Sequence, residues 1–157
     1  MSTRSFIVKE NSDGNLRAVY AHWDGYPTHN GRILLEHYSN SEKLEALLDE
    51  GDISSLKKNI GEKHDFGSNG SYEESPQVKN EWTTFYGRDR GETEISSNSF
   101  DNIEKFLTWT KTSGAEYLYV FTKDDQWVYS KLRYDKPDSL KDFNQLTLEV
   151  CTEDVCE

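Results

Sequence analysis

Apolar and polar residues alternate over "RSFIVKEN" (Arg4–Asn11) and again over "LRAVYAHW" (Leu16–Trp23), the period of a β-strand. "SDGN" (Ser12–Asn15) divides the two runs as a hairpin turn, with Gly14 supplying the positive φ that such turns need. On the second strand a period of two sets Leu16, Ala18, Tyr20 and His22 on one face, and Arg17, Val19, Ala21 and Trp23 on the other. "DGYP" (Asp24–Pro27) then breaks the strand, because Asp-Gly is a turn signal and proline has no N–H for a ladder.

From Asn30 the period becomes helical, with Ile33, Leu34, His37 and Tyr38 on one face. "SNSE" (Ser39–Glu42) fits a capping box and opens a second helix, whose stripe is Leu44, Leu47 and Leu48 and whose stop is Gly51. "DISSL" (Asp52–Leu56) reads as a short turn docking Ile53 and Leu56. Residues 61–80, rich in Gly, Ser, Asn and Glu, read as a long mobile surface loop.

A strand pattern resumes around Trp82 to Tyr86. "SFDNIEKFLTWTKTSG" (Ser99–Gly114) predicts a helix with Ile103, Phe106, Leu107 and Thr110 inward, Asp101 and Glu104 at its positive end and Gly114 at its close. "AEYLYVFTKDDQWVYSKL" (Ala115–Leu132) is the clearest hairpin, with Tyr117, Tyr119 and Phe121 on one face and Leu118 and Val120 on the other. "DFNQLTLEVC" (Asp142–Cys151) alternates as a last edge strand. This order predicts an α+β fold, a mainly antiparallel sheet of about five to six strands with two to three helices packed on it. One domain over residues 1–157 is expected, ending in an acidic tail.

Composition changes this picture in two ways. Only 34% of residues are hydrophobic, so the 13% that are aromatic must carry much of the core. Net charge is -11 at pH 7, which disfavours direct binding to nucleic acid or an anionic membrane and permits contact with a basic protein surface. "MSTRSFIVKEN" lacks the basic start and apolar stretch of a secretory signal, and no apolar run reaches membrane-spanning length, so a cytoplasmic location is expected. Cys151 and Cys156 have no second Cys/His pair at zinc-finger spacing, and free thiols are the expectation. No cofactor and no metal site are expected.

Three groups of residues are candidates for chemistry. His22 and Asp24, two apart, suit a general acid/base pair or two metal ligands if they share a strand face, with His29, His37 and His64 as possible third members. Their alternative is a packed turn in which Asp24 caps and Trp23 and Tyr26 pack on the first helix. Arg88 and Arg90 in "GRDRGE", with Arg4 in "TRS", suit a clamp for phosphate or carboxylate. Here the alternative is that Asp89 or Asp24 pairs one arginine and fixes the loop. Trp23, Tyr26, Trp82, Tyr86, Tyr117, Tyr119 and Trp127 form an aromatic surplus that fits a nucleotide pocket, an interface or simply a core.

"TRS", "HWDGYP", "LLEHY", "GDIS" followed by Leu56, "GRDRGE" and "AEYLYVF…QWVY", in that order from about Thr3 to Tyr129, resemble a family of small bacteriophage and prophage proteins. The resemblance carries over no catalytic residue. It implies a phage-encoded protein in the cytoplasm of an infected bacterium, where small acidic proteins without enzyme motifs often inhibit host functions. The expected function is therefore a non-enzymatic binding protein that inhibits a host antiviral defence or regulatory factor, with a host bacterial protein as partner. One alternative is sequestration of a nucleotide-like signal by Arg4, His22, Trp23, Asp24, Tyr26, Arg88 and Arg90. Another is a small metal-dependent hydrolase or nuclease using His22 and Asp24. A homodimer is also an expectation, paired across the final strand near Leu146 to Val150.

Overall fold

The computed structural model describes residues 3–62, 81–93, 96–132 and 136–152. The two hairpins stand as the alternation predicts: β1 (Ser5–Glu10) with β2 (Leu16–Ala21), and β6 (Tyr117–Phe121) with β7 (Trp127–Lys131). Gly14 takes φ 88 in the first turn. Between the hairpins lie α1 (Arg32–His37), α2 (Ser41–Asp49), β3 (Ile53–Ser55), β4 (Thr84–Phe85), β5 (Asn98–Phe100) and α3 (Ile103–Thr110). After β7 come a short turn of 3-10 helix over Leu140–Asp142, β8 (Asn144–Gln145) and α4 (Leu148–Thr152).

The strands form one eight-stranded sheet in the order β4-β3-β2-β1-β6-β7-β8, with β5 on β2 as well. Strand β2 shares its outer edge, giving Ala21 to β3 and Leu16–Ala18 to β5. The fold is α+β, and the sheet is larger and more mixed than expected, because β1 runs parallel to β6 and β2 parallel to β3. The unexpected strands, β3 and β5, are three residues long each, too short for a period of two to register.

Helices cover both faces, which explains why every residue of β6 is buried. Ile7, Val19, Tyr119 and Trp127 pack with Leu34 of α1, Tyr38 just after it, Leu44, Leu47 and Leu48 of α2 and Cys151 of α4. Burial pushes the Tyr38 phenol up to about 12 and the Cys151 thiol up to about 11. Phe6, Val8, Leu16, Ala18, Leu118 and Val120 face the other way, against Phe106 and Leu107 of α3.

Several local expectations are corrected. The first helical run starts at Pro27, not Asn30, as a π-helical turn over Pro27–Gly31 that continues into α1. A proline fits the first helical position because that N–H needs no partner. His37 is exposed rather than part of the apolar face. Asn40, not Ser39, caps α2 by accepting from Lys43 N–H at 2.9 Å, while the Ser39 hydroxyl donates back to Leu35 O at 2.6 Å. Ile53 and Leu56 are buried as expected, but Ile53 sits in a strand between β2 and β4 rather than in a turn. From Trp82 to Tyr86 only Thr84–Phe85 is strand, and Trp82 makes a lone bridge to Asn59.

The largest correction is at the end of the described chain. The expected edge strand from Asp142 to Cys151 shrinks to Asn144–Gln145 and turns helical at Leu148. The Thr147 hydroxyl accepts from Val150 N–H at 3.3 Å, and Cys151 N–H donates to Thr147 O at 3.0 Å. That capped turn buries Cys151 and leaves Leu148 54% exposed. Backbone groups spent inside a helix cannot pair across a two-fold axis, so the strand on which the homodimer expectation stood is not there. Most of the loop expected over 61–80, Cys156 and the acidic end of the tail lie outside the described residues, as does His64. Among the described residues, no helix is long and apolar enough to cross a membrane.

Candidate functional site

The backbone of "HWDGYP" is fastened at every step. His22 N–H donates to Ile53 O at 3.0 Å and Trp23 N–H to Ser54 O at 3.1 Å, which prolongs the β2–β3 pairing. Asp24 then turns the chain with φ 56. Gly25 N–H donates to Thr3 O at 2.8 Å, and a Cβ on Gly25 would meet that same oxygen at 2.6 Å, so the chains approach this closely only with glycine. Gly25 O accepts from the buried Tyr119 hydroxyl at 2.6 Å. The buried Asn30 side chain donates to Trp23 O at 3.3 Å. The turn is therefore a rigid platform, and the question is which side chains it leaves free.

Asp24 and Tyr26 are not free for a ligand. The Tyr26 hydroxyl donates to Asp24 Oδ1 at 2.8 Å, and its ring packs against the core on the side of α1 and α2. His22 instead shares a hydrogen bond of 2.6 Å between its Nδ1 and the Tyr20 hydroxyl. The expected His22–Asp24 pair is thus not brought together. A period of two holds only along extended backbone, and Asp24 has left it. Among the described residues, no cluster of three His, Cys, Asp or Glu side chains could hold a metal ion. His29 is occupied elsewhere, with Nδ1 at 2.9 Å from Asn30 Oδ1.

Arg88 also leaves the candidate set. Its Nε donates to Asp89 Oδ1 at 3.0 Å, its Nη1 to Ile60 O and Gly61 O at 3.0 and 3.1 Å, and its Nη2 to Thr83 O and Asp89 Oδ2 at 3.0 and 3.1 Å. A guanidinium has five N–H donors, and all of them are used. The Asp89 carboxylate, fully buried, also accepts from Phe85 N–H at 2.8 Å. Arg88 fixes the turn, and no donor remains for a ligand.

The register that sets Ser5 opposite Ala21, and the Tyr86 N–H that donates to Asp52 O at 3.1 Å, bring Arg4, Tyr20, His22, Trp23, Tyr86 and Arg90 to the same end of the sheet, which forms one rim. Trp23 is 42% exposed and meets the His22 ring edge-on at 4.6 Å between centroids. Arg4, just before β1, and Arg90, in the turn after β4, are both exposed. Arg90 lies over the Tyr86 ring at 5.5 Å. Burial first, then the Arg4 and Arg90 guanidiniums, hold the His22 imidazole below its ordinary value. Burial raises the Tyr20 phenol, against the pull of Arg4. Beneath the rim, Asp52 Oδ1 accepts from Tyr20 N–H at 2.9 Å, and burial raises its carboxyl.

Tyr20 and Asp52 belong to this rim although the motifs did not single them out. For Tyr20 the signal was available, since the strand period already placed it on the face of His22. For Asp52, which reaches across from the start of β3, no local signal exists. Tyr117, Tyr119 and Trp127 of the aromatic surplus are core residues.

Among the described residues, two cavities lie away from the rim. One of about 780 Å³ lies beside the end of α3, lined by residues such as Leu107, Thr110, Lys111 and Leu132. The other, about 320 Å³, borders α1 near His29, His37 and Lys57. No protein-family model, curated protein or solved structure matches the chain.

Proposed function

We propose that the chain is a non-enzymatic binding protein that recognises a protein partner through the rim of Arg4, His22, Trp23 and Arg90. In the bacteriophage setting that its motifs resemble, the partner is a bacterial host factor of defence or regulation, and binding inhibits it. One observation carries the binding part: an indole 42% exposed on a turn whose backbone is fixed on all sides. Solvent gains nothing from a large apolar ring held in water, whereas tryptophan and arginine on a rigid support are what interface hot spots are made of. The inhibitory part rests on the resemblance alone.

The second version, a nucleotide-like ligand, has one observation in its favour. Neither Arg4 nor Arg90 has an ion pair or side-chain hydrogen bond among the described residues, so both can take phosphate oxygens while a base stacks on Trp23. The net charge of -11 works against it.

Tagged protein and its Trp23→Ala variant, incubated with bacterial lysate, separate these readings when proteins and heat-released small molecules are both weighed by mass spectrometry. A host protein in stoichiometric yield, lost with Trp23→Ala, is the expected result. A released nucleotide with no protein would favour the second version. Equal capture by both forms would remove the rim from the function.

A further inference from the structure

The larger cavity, about 780 Å³, has the size of a small-molecule site, for which about 300 to 1,000 Å³ is usual. It lies between the last turn of α3, the start of β6, the end of β7 and the chain from Lys136 to Asp138. Part of its wall is apolar. Leu107, Ala115 and Leu132 carry the core layer around Phe106 out to the cavity, and the buried Pro137 adds to them. The Thr110 hydroxyl donates to Leu107 O at 2.8 Å, so its polar atom is used within the helix. Such a wall draws an apolar group out of water.

Four charged side chains line the same cavity: Lys111 just past α3, Glu116 just before β6, and Lys136 and Asp138 after β7. Among the described residues, no ion pair joins any two of them, although opposite charges border one space. Backbone bonds fix where Glu116 stands. Its N–H donates to Arg4 O at 2.9 Å, and its carbonyl accepts from Leu132 N–H at 3.0 Å.

We propose that this cavity binds a small zwitterion with an apolar side chain, the chemistry shared by a free amino acid such as leucine and a short apolar peptide. Lys111 and Lys136 take its carboxylate, Glu116 and Asp138 take its ammonium, and Leu107, Ala115 and Leu132 take its side chain. Charge decides against a simpler ligand. The two lysines and two acids sum to zero, so a lone anion or a lone cation meets as much repulsion as attraction. The whole chain, at -11, repels a free anion further but does not repel a molecule without net charge. This is a second binding function, separate from the rim, and it needs neither Trp23 nor a protein partner.

The test follows amide NMR shifts of the full chain as L-leucine, dileucine, N-acetyl-leucine, leucinamide or glycine is added at about pH 6.5, where an α-amino group keeps its proton. Leucine is expected to shift the amides of Leu107, Ala115 and Leu132 and to bind about tenfold or more tighter than glycine, which has no side chain to bury. Lys111→Gln and Lys136→Gln should each weaken leucine by about two- to fivefold and leave leucinamide unchanged. Glu116→Gln and Asp138→Asn should weaken leucine by a similar factor and leave N-acetyl-leucine unchanged. Tighter binding of dileucine than of leucine would support the site with a peptide as its ligand, and the opposite order would support it with a free amino acid. No saturable shift with leucine or dileucine would overturn the proposal. Equal affinity for leucine, N-acetyl-leucine and leucinamide would overturn the choice of a zwitterion. Leucine binding that ignored all four charge variants, or that vanished with Trp23→Ala, would place the ligand elsewhere and overturn the site. The lysate capture above reads the rim alone, so either function can fail while the other stands.

Discussion

Arg88 and Arg90 flank Asp89 in one turn, yet Arg88 points inward with every donor satisfied while Arg90 lies exposed over the Tyr86 ring. The difference lies in where each fork finds oxygen. Arg88 reaches the carbonyls of Thr83, Ile60 and Gly61 and so ties the turn after β4 to the chain that follows β3. Arg90 finds no carbonyl or carboxylate among the described residues. One arginine holds the architecture, and its neighbour stays exposed. The same division runs through "HWDGYP", where Asp24 and Tyr26 satisfy each other and Trp23 is exposed.

The sharpest way to break this comparison is Arg88→Ala. It strands the buried Asp89 carboxylate and removes donors from three carbonyls. Breaking one partner of a buried pair costs about 3–5 kcal/mol, so denaturant unfolding should show a large drop in midpoint. Arg88→Lys should recover little of it, because an ammonium cannot reproduce a planar fork with five donors. A loss no larger than that of a surface substitution would mean that Arg88 is not the inner strut its hydrogen bonds describe.

Tyr119→Phe comes next and joins the two regions. The Tyr119 hydroxyl is the buried donor to Gly25 O at 2.6 Å, and burial raises the phenol well above its ordinary value, so it stays a donor at every physiological pH. Removing it leaves a carbonyl unsatisfied at a cost of about 1–3 kcal/mol. Because that carbonyl belongs to the turn that carries Trp23, partner capture should weaken as well.

The hairpins and the stripes of α2 and α3 were legible in the sequence because each spans enough residues for its period to show. The parallel contact of β1 with β6 was not, since over a hundred residues separate Ile7 from its partner Tyr119 and no local pattern encodes that pairing. Helix α4 was misread because Leu146, Leu148 and Val150 alternate as a strand would, while the Thr147 cap decides for helix. At the candidate site, His22, Trp23, Arg4 and Arg90 could be named from residue type. That Arg88 would be consumed by backbone carbonyls could not, because Ile60 and Gly61 lie 28 and 27 residues away along the chain and a carbonyl has no side-chain signature.

Trp23→Ala and Arg90→Ala sharpen the comparison from the other side. Both side chains are exposed, so unfolding free energy should stay within about 0.5 kcal/mol of the parent. Partner capture should nevertheless fall for both. A variant that lost stability and binding together would place its residue with Arg88 rather than on the rim.

The smallest expected effect is the pH dependence that His22 adds to stability. Its folded value lies below the ordinary 6.5, so at pH values just under 6.5 the unfolded chain holds the proton more readily than the folded one. The stabilisation is therefore fully present above pH 6.5, is lost as pH falls through the folded value, and changes no further below it. Subtracting the unfolding free energy of His22→Gln from that of the parent at each pH isolates this step from the other titrating groups. Arg90→Gln should narrow it, because removing one repelling guanidinium brings the folded value closer to the unfolded one. Arg88→Lys keeps a charge at position 88, which does not act on His22, and so should leave the step in place even though it destabilises the fold. A step that vanished with Arg88→Lys and persisted in Arg90→Gln would invert the comparison, with the inner arginine governing His22 and the outer one idle.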